Sequence, residues 1–452
     1  MKDVLDFECD RQQLEKAKHL FQQIWLSVNN WQELRRLTVN GINFGMPIIR
    51  DFLRLNVPQL ELKTPDFAQH LWSLARRIVC LLDYFQQHSV KAVVLCDGVG
   101  HESFLRNVAV ANGVPTYVIH YTDPIGRCFG SFEYPSGERF AHYKNFFRQL
   151  SAREQEVGIE WAKRSLDARF KGDKKEIQYM KTSIYEVAPG EKVLEQNDKL
   201  KVIICPHTLY DDLYPCGWQV FGGFVEWIDH LGQLSERTDY DWYLKIHPAD
   251  LGRDEEFIKG YLKRYPRIKL VPKWTSPKQL KAEGIKFAFT IYGTLGHEYP
   301  ALGIQVINAG NNPHIAFDFC YNPKTPEEFD SIVFNLPNLV DRRVDMQEIY
   351  QFYCIHYLYY NAPSDIRGVF FKNVDLHSNS WIGSEQRYIP ISEEVKRYKY
   401  HLDDWTPEFH EITKRKTEEL FHEMDNRRDD VFYKNPPEII RKKLEAVGLS
   451  LD

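Results

Sequence analysis

KVIICPHTLYDDLYPCGWQVFGGFVEWIDHLGQLSERTDYDWYLKIHP, residues 201–248, decides the fold class of this chain. KVIICP (201–206) is a short apolar, β-branched run of the kind that forms a strand buried on both faces. FGGFVEWIDHLGQLSE (221–236) reads as a helix, and DWYLKIHP (241–248) as a second strand ending in a turn. Downstream the alternation continues. EEFIKGYLKRY (255–265) predicts a helix, IKLVP (268–272) a strand, PKQLKAEG (277–284) a short helix and KFAFTI (286–291) a strand. A further helix and the strand QVINAG (305–310) complete it. Such regular alternation predicts a parallel sheet with helices on both faces.

A smaller version of the pattern lies upstream. KAVVLC (91–96), a helical stretch of roughly Glu102–Asn112, and TYVIHY (116–121) form a strand–helix–strand unit, the seed of a second parallel sheet. Residues 12–36 and 66–88 predict helices; in the latter, Phe67, Leu71, Leu74, Ile78, Leu81 and Leu82 recur at helical spacing. Ser151 to about Asp198 is charged, reads as mostly helical and carries the interdomain connection. The expected architecture is α/β: two Rossmann-like domains over 1–190 and 191–345, then a helical, charged region over 346–452.

Composition narrows the function. Lys plus Arg number 58 and Asp plus Glu 63, a net charge of −5, so the chain is not built to coat nucleic acid, although a local basic pocket for a phosphate stays open. The 25 Tyr and 28 Phe supply cores and leave flat faces for stacking on sugars or bases. Eight scattered cysteines (Cys9, Cys80, Cys96, Cys128, Cys205, Cys216, Cys320, Cys354) contain no CxxC pair and read as reduced thiols of a cytosolic protein, with no disulfide or zinc framework. The N-terminal MKDVLDFECDRQQ lacks the apolar core of a signal peptide. No stretch approaches the roughly 20 apolar residues of a membrane span, which confines any membrane work to the surface, at the inner face of the cell membrane.

In doubly wound sheets ligands bind at the carboxyl ends of the strands, and four segments fall there. In LCDGVGHESFLRNVAVANGVP (95–115), Asp97 follows a strand directly, Gly98 and Gly100 permit a tight turn, and Glu102 opens the next helix. Asp97 reads as the catalytic carboxylate, with Glu102 the next candidate; the alternative is capping chemistry. In KIHP (245–248), Pro248 pushes His247 into the extended region and off any helix, where it can donate to a phosphate with Lys245 adding charge, or serve as a polar loop histidine. FTIYGTLGHEYPALGIQVINAG (289–310) carries Tyr292, Gly293 and Thr294 into a helix whose free N–H groups suit an anion, with Glu298 placed to accept from ribose hydroxyls or simply to complement the helix dipole. CPHTLYDDLYPCGW (205–218) brings His207 and Thr208; its Asp211–Asp212 pair reads as turn chemistry and no metal is expected. Further upstream, VNGINFGMPIIRDFLR (39–54) offers Gly45, Asp51 and Arg54 to the acceptor side, or forms a strand-to-helix turn.

Together these segments resemble the capsular-polysaccharide and surface-carbohydrate glycosyltransferases of bacteria, over roughly residues 39–330. Asp97-Gly98 looks like that group's acidic–Gly motif and His247-Pro248 like its HP motif. Gly293-Thr294 with Glu298 looks like its third motif, and GINFGMPIIRDFLR like its Gly…Asp…Arg segment. The resemblance implies a GT-B fold with the site between two domains and no cofactor. It also implies a nucleotide-sugar donor, a CMP-sugar as in the Kdo and sialic acid transferases, and an oligosaccharide or glycolipid acceptor. The HP histidine and third motif would bind the nucleotide, and the first-domain carboxylate would do the acid–base or nucleophilic work. Two alternatives stay open: a CDP-glycerol-type glycerophosphotransferase or sugar-nucleotide epimerase of the same fold, and a catalytically silent scaffold of a polysaccharide assembly complex.

Overall fold

A computed structural model describes residues 9–55, 60–95, 100–118, 126–128, 138–173, 182–209, 211, 216–217, 219–248, 252, 254–360 and 437–451. Asp97, Asp212 and most of 346–452 lie outside the described residues, and Arg54 is described in its backbone only.

The first unit begins with two helices where the sequence predicts one. α1 (Arg11–Ser27) starts at a capping box, Asp10 accepting from Gln13 N–H while the Gln13 side chain reaches back. It stops at Val28, whose backbone is extended, and Asn30 caps α2 (Trp31–Arg35) by accepting from Glu33 N–H. β1 (Thr38–Val39) and β2 (Ile42–Asn43) then pair antiparallel. Asn40 and Gly41 join them at φ 51° and 77°, the left-handed pair that a two-residue Asn-Gly turn requires. α3 (Gly45–Leu55) follows, and α4 (Pro65–Gln87) is capped by Thr64 with Pro65 at its first position.

β3 (Val93–Leu95), α5 (Glu102–Ala111) and β4 (Thr116–Val118) make the expected strand–helix–strand unit, with β3 and β4 parallel. β5 (Gly126–Cys128) adds antiparallel to β4. After a 3₁₀ turn at Glu138–His142 come α6 (Tyr143–Gln149) and α7 (Ala152–Phe170), the latter opened by a Ser151–Glu154 capping box. Here the structure corrects the expectation of a mostly helical 151–198. The helix ends at Phe170, Gly172 turns the chain at φ 106°, and 182–198 are turns and bends.

The second unit matches its predicted alternation within a few residues. β6 (Lys201–Ile204), α8 (Phe224–Arg237), β7 (Asp241–Lys245), α9 (Glu255–Arg264), β8 (Ile268–Val271), α10 (Pro277–Ala282), β9 (Ile285–Thr290), α11 (Leu295–Ala301) and β10 (Gln305–Asn308) follow in turn. The five strands are all parallel in the order β10-β9-β6-β7-β8. The chain lays down β6, β7 and β8 outward in one direction, then returns to β9 on the other side of β6. This is a Rossmann-like order with its reversal between β6 and β9.

Alternate residues of each strand face opposite layers. Val202, Ile204, Trp242, Leu244, Phe287 and Phe289 pack with Phe224, Trp227 and Leu231 of α8. That buried cluster is continuous with Ile24, Ile49, Leu71 and Phe104 of the first unit. Ile203, Cys205, Tyr243 and Ala288 face the other way, against Trp161 and Leu166 of α7 and against α14 (Met346–Tyr353). Thus α7, early in the chain, covers a face of the second sheet. α12 (Pro326–Phe334) and α13 (Leu336–Leu339) precede α14, which runs on into a π-helical turn at Cys354–Tyr359, and α15 (Pro437–Glu445) packs beside them.

Candidate functional site

Three strands deliver side chains to the crevice beside the β6–β9 reversal. β6 ends at Ile204 and leads through Cys205 and Pro206 to His207; β7 ends at Lys245, two residues before His247; β9 ends at Thr290, two before Tyr292. The β6–β9 pairing extends one step further, Cys205 N–H donating to Phe289 O at 2.9 Å, so His207 and Tyr292 leave the sheet side by side. Their rings stack with centroids 4.0 Å apart and 25° between planes. His247 lies nearly parallel to His207 at 6.0 Å, and Phe224 of α8 closes the other side, 6.0 Å from His207 and 6.2 Å from Tyr292.

Two polar atoms are left over. His207 Nε2 and Thr290 Oγ1 are buried and have no hydrogen-bond partner. Both border Gly293: a β-carbon there would stand 3.2 Å from His207 Nε2 and 3.5 Å from Thr290 Oγ1. A buried polar group without a partner is costly, which marks this corner as a place where a ligand atom or water completes the bonding. His207 Nδ1 faces Asp211 Oδ2 at 3.8 Å, and the Asp211 N–H donates to Thr208 O at 3.0 Å.

The electrostatics of the crevice favour an incoming anion. Burial lowers the Lys245 pKa, against the pull of the Cys205 thiol and the Glu298 carboxylate, which raise it. Burial, with His207 and Lys245 nearby, pushes His247 down to about 3, so its imidazole is neutral at pH 7 and can donate one N–H. Pro248 follows in a turn. Thr294 caps α11 without a side-chain bond, leaving its hydroxyl uncommitted to the helix.

Glu298 sits one helical turn on, and its carboxylate is held from inside the protein. Arg169 Nε of α7 donates to Oε1 at 2.7 Å and the Tyr185 hydroxyl to Oε2 at 3.0 Å. Arg169 also donates to Ser183 Oγ at 3.0 Å and lies 4.8 Å over the Tyr185 ring. Burial alone would lower the Arg169 pKa; the Glu298 charge outweighs it and raises it. A ribose hydroxyl would have to share those carboxylate oxygens. The group borders a cavity of about 90 Å³ between α7, the π-turn and α15, lined by Trp161, Tyr353, Tyr357 and Lys443 among others.

In the first unit, Glu102 opens α5 half-buried. Gly45 begins α3 where a β-carbon would fall 1.7 Å from the Leu34 carbonyl oxygen, so only glycine lets α3 cross α2 this closely. Asp51 is buried with its Oδ2 3.2 Å from His70 Nε2. The structure therefore brings together His207, Lys245, His247, Tyr292 and Gly293, with Thr208, Pro248 and Thr294 next to them along the chain, while the Glu298 carboxylate is held by Arg169 and Tyr185. Sequence reading missed Thr290, Phe224 and the Arg169–Tyr185 brace. Thr290 leaves a trace, a lone hydroxyl closing the apolar run FAFT. Among the described residues no group of three or more His, Cys, Asp or Glu is arranged to hold a metal ion. Nor is any described helix long and apolar enough to cross a membrane.

No family model and no curated protein matches the chain. Among solved structures, KpsC of Thermosulfurimonas dismutans, a beta Kdo 2,4 transferase, is similar at 13% sequence identity and a TM-score of 0.31, over 59% of this chain and 91% of that one.

Proposed function

We propose that this protein is a nucleotide-sugar-dependent glycosyltransferase of GT-B type, moving a sugar from a CMP-sugar onto a growing surface polysaccharide. One observation carries the reading: the crevice at the sheet's reversal gathers a stacked His207–Tyr292 pair, His247, Lys245 and two unsatisfied polar atoms. The order of motifs along the chain agrees with it. A nucleobase is flat and stacks on an aromatic face, while its phosphate draws on His247, His207 Nε2, Thr290 Oγ1 and the Lys245 charge. An arriving anion favours protonated His247, so donor binding takes up protons.

For transfer, the acceptor hydroxyl attacks the anomeric carbon and the bond to the CMP phosphate breaks. In an inverting reaction Asp97 takes the hydroxyl proton, with Glu102 the next candidate. In a double displacement Asp97 itself attacks the sugar first. The segment of Gly45, Asp51 and Arg54 serves the acceptor side.

A thermal-shift screen against CMP, CDP, UDP and GDP tests the reading. A ligand at about 100 times its Kd adds about 2.7 kcal/mol, and CMP should stabilise most. Stabilisation by none of the four overturns it. Asp97→Asn should keep CMP affinity and cut transfer about a hundredfold or more. Normal transfer by Asp97→Asn together with its loss in Glu102→Gln moves the base to Glu102. Nucleotide binding without any turnover favours the scaffold.

A further inference from the structure

We propose that Cys9 and Cys80 form a redox modification site, a dithiol that closes reversibly to a disulfide and clamps the start of α1 onto α4. The two sulfurs lie 3.0 Å apart, between residues 71 positions apart in sequence. Both are free thiols and half-buried, whereas Cys205, Cys216, Cys320 and Cys354 are buried. Oxidants reach the first pair and not the other four. The approach is held by its surroundings. Lys16 bonds Asp83 at 2.9 Å, Phe21 meets the edge of Trp72 at 6.1 Å, and Cys80 Sγ lies 3.9 Å from Gln13 Oε1. These contacts run along the same α1–α4 seam and place the sulfurs face to face. Closing a bond of about 2.05 Å needs a movement of only about 1 Å, and Cys9, just ahead of the capping residue Asp10, is free of the helix to make it.

The chemistry balances with a peroxide as oxidant. The Cys9 thiolate attacks one oxygen of hydrogen peroxide, the O–O bond breaks, hydroxide leaves and Cys9 becomes a sulfenic acid. The Cys80 sulfur then attacks the Cys9 sulfur and the S–O bond breaks. The hydroxyl leaves as water with the Cys80 proton, forming the disulfide. In sum, two thiols and one peroxide give one disulfide and two waters. Burial and the neighbouring Cys9 push the Cys80 thiol up to about 12, and the steps balance equally with either sulfur attacking first. The bond closes a loop over residues 9–80, which holds the hairpin and α3 with the acceptor-side candidates, so oxidation stiffens that unit. This inference does not depend on the transferase reading.

The test uses the full chain, treated with an equimolar amount of hydrogen peroxide, alkylated with N-ethylmaleimide and mapped by peptide mass spectrometry over all eight cysteines. The expected product is a Cys9–Cys80 linked peptide with the loss of two hydrogens. Dithiothreitol should reverse it, and the oxidised chain should melt several degrees above the reduced one. Cys9→Ser and Cys80→Ser should each abolish the loss. Full alkylation of both cysteines after peroxide overturns the proposal, as does Cys9 linked mainly to another cysteine or carried on to sulfinic acid. Phenylarsine oxide, which bridges two close thiols, supplies a check independent of thiol reactivity. It should shield Cys9 and Cys80 together in the reduced chain, and leave Cys80 open in Cys9→Ser. No shielding in the unsubstituted protein also overturns the proposal.

Discussion

Gly293 marks how little room the crevice leaves at the scale of single residues. Its backbone is ordinary, so an added methyl meets no conformational strain; what it meets is His207 Nε2 at 3.2 Å and Thr290 Oγ1 at 3.5 Å. That separation forces the His207 ring to give by a few tenths of an ångström and disturbs its 4.0 Å stack on Tyr292. Gly293→Ala should therefore weaken nucleotide binding roughly tenfold, on the order of 1.4 kcal/mol, while moving the melting point little. Isothermal titration beside a thermal melt reads both; unchanged affinity means that the corner is not part of the site. His247→Ala should weaken binding about ten- to a hundredfold, the scale of a hydrogen bond to a charged group. A lower melting point at unchanged affinity makes it a structural histidine.

The element that matters most to the crevice is α11, and α7 steadies it. Arg169 of α7 and Tyr185 hold both oxygens of Glu298. Breaking a buried pair from one side costs about 3–5 kcal/mol because the other charge stays buried. Glu298→Gln keeps the shape and removes the charge, so unfolding in urea should begin at distinctly lower concentration. A Glu298→Gln chain of normal stability with lost nucleotide affinity returns Glu298 to the ribose. None of this is legible locally, since the two partners lie 129 residues apart. The Asn40–Gly41 hairpin is the opposite case. Its turn chemistry stands in the sequence, and the reading of 39–54 as a segment facing the acceptor passed over it.

Across the whole molecule, the layer behind the second sheet carries buried histidines. Buried His297 and His314 and half-buried His356 pack around Phe352 of α14 at 4.7, 5.8 and 5.0 Å, and His297 accepts or donates to the Tyr357 hydroxyl at 2.9 Å. Burial lowers His314 from 6.5 to about 3, and lowers His297 well below its ordinary value. Between about pH 6.5 and pH 3 the unfolded chain therefore binds a proton at His314 that the folded chain does not. Stability is complete above that window and falls with pH inside it, by about 1.4 kcal/mol per pH unit for each such histidine. Denaturant melts from pH 7 to pH 4 should show the decline, and His314→Gln should reduce its slope by one proton. An unchanged slope means that His314 titrates normally in the folded protein.

Strand–helix alternation from Lys201 to Gly310 is legible in the sequence because period and composition are local, and a fully buried parallel strand advertises itself as an apolar β-branched run. The same locality gives the motif positions: strand ends are where the apolar runs stop, so His207, His247 and Tyr292 can be assigned to one end of one sheet. Only the tertiary structure decides which of these ends are neighbours. The return of β9 to the flank of β6 puts His207 on Tyr292 and leaves Nε2 and Oγ1 unsatisfied beside Gly293. The packing of distant elements likewise turns Glu298 toward Arg169, sets α7 on the second sheet and, in the first unit, brings Cys9 to Cys80. Each of these is a contact between distant segments, chosen by how the layers bury their apolar faces, and no window of sequence contains both partners.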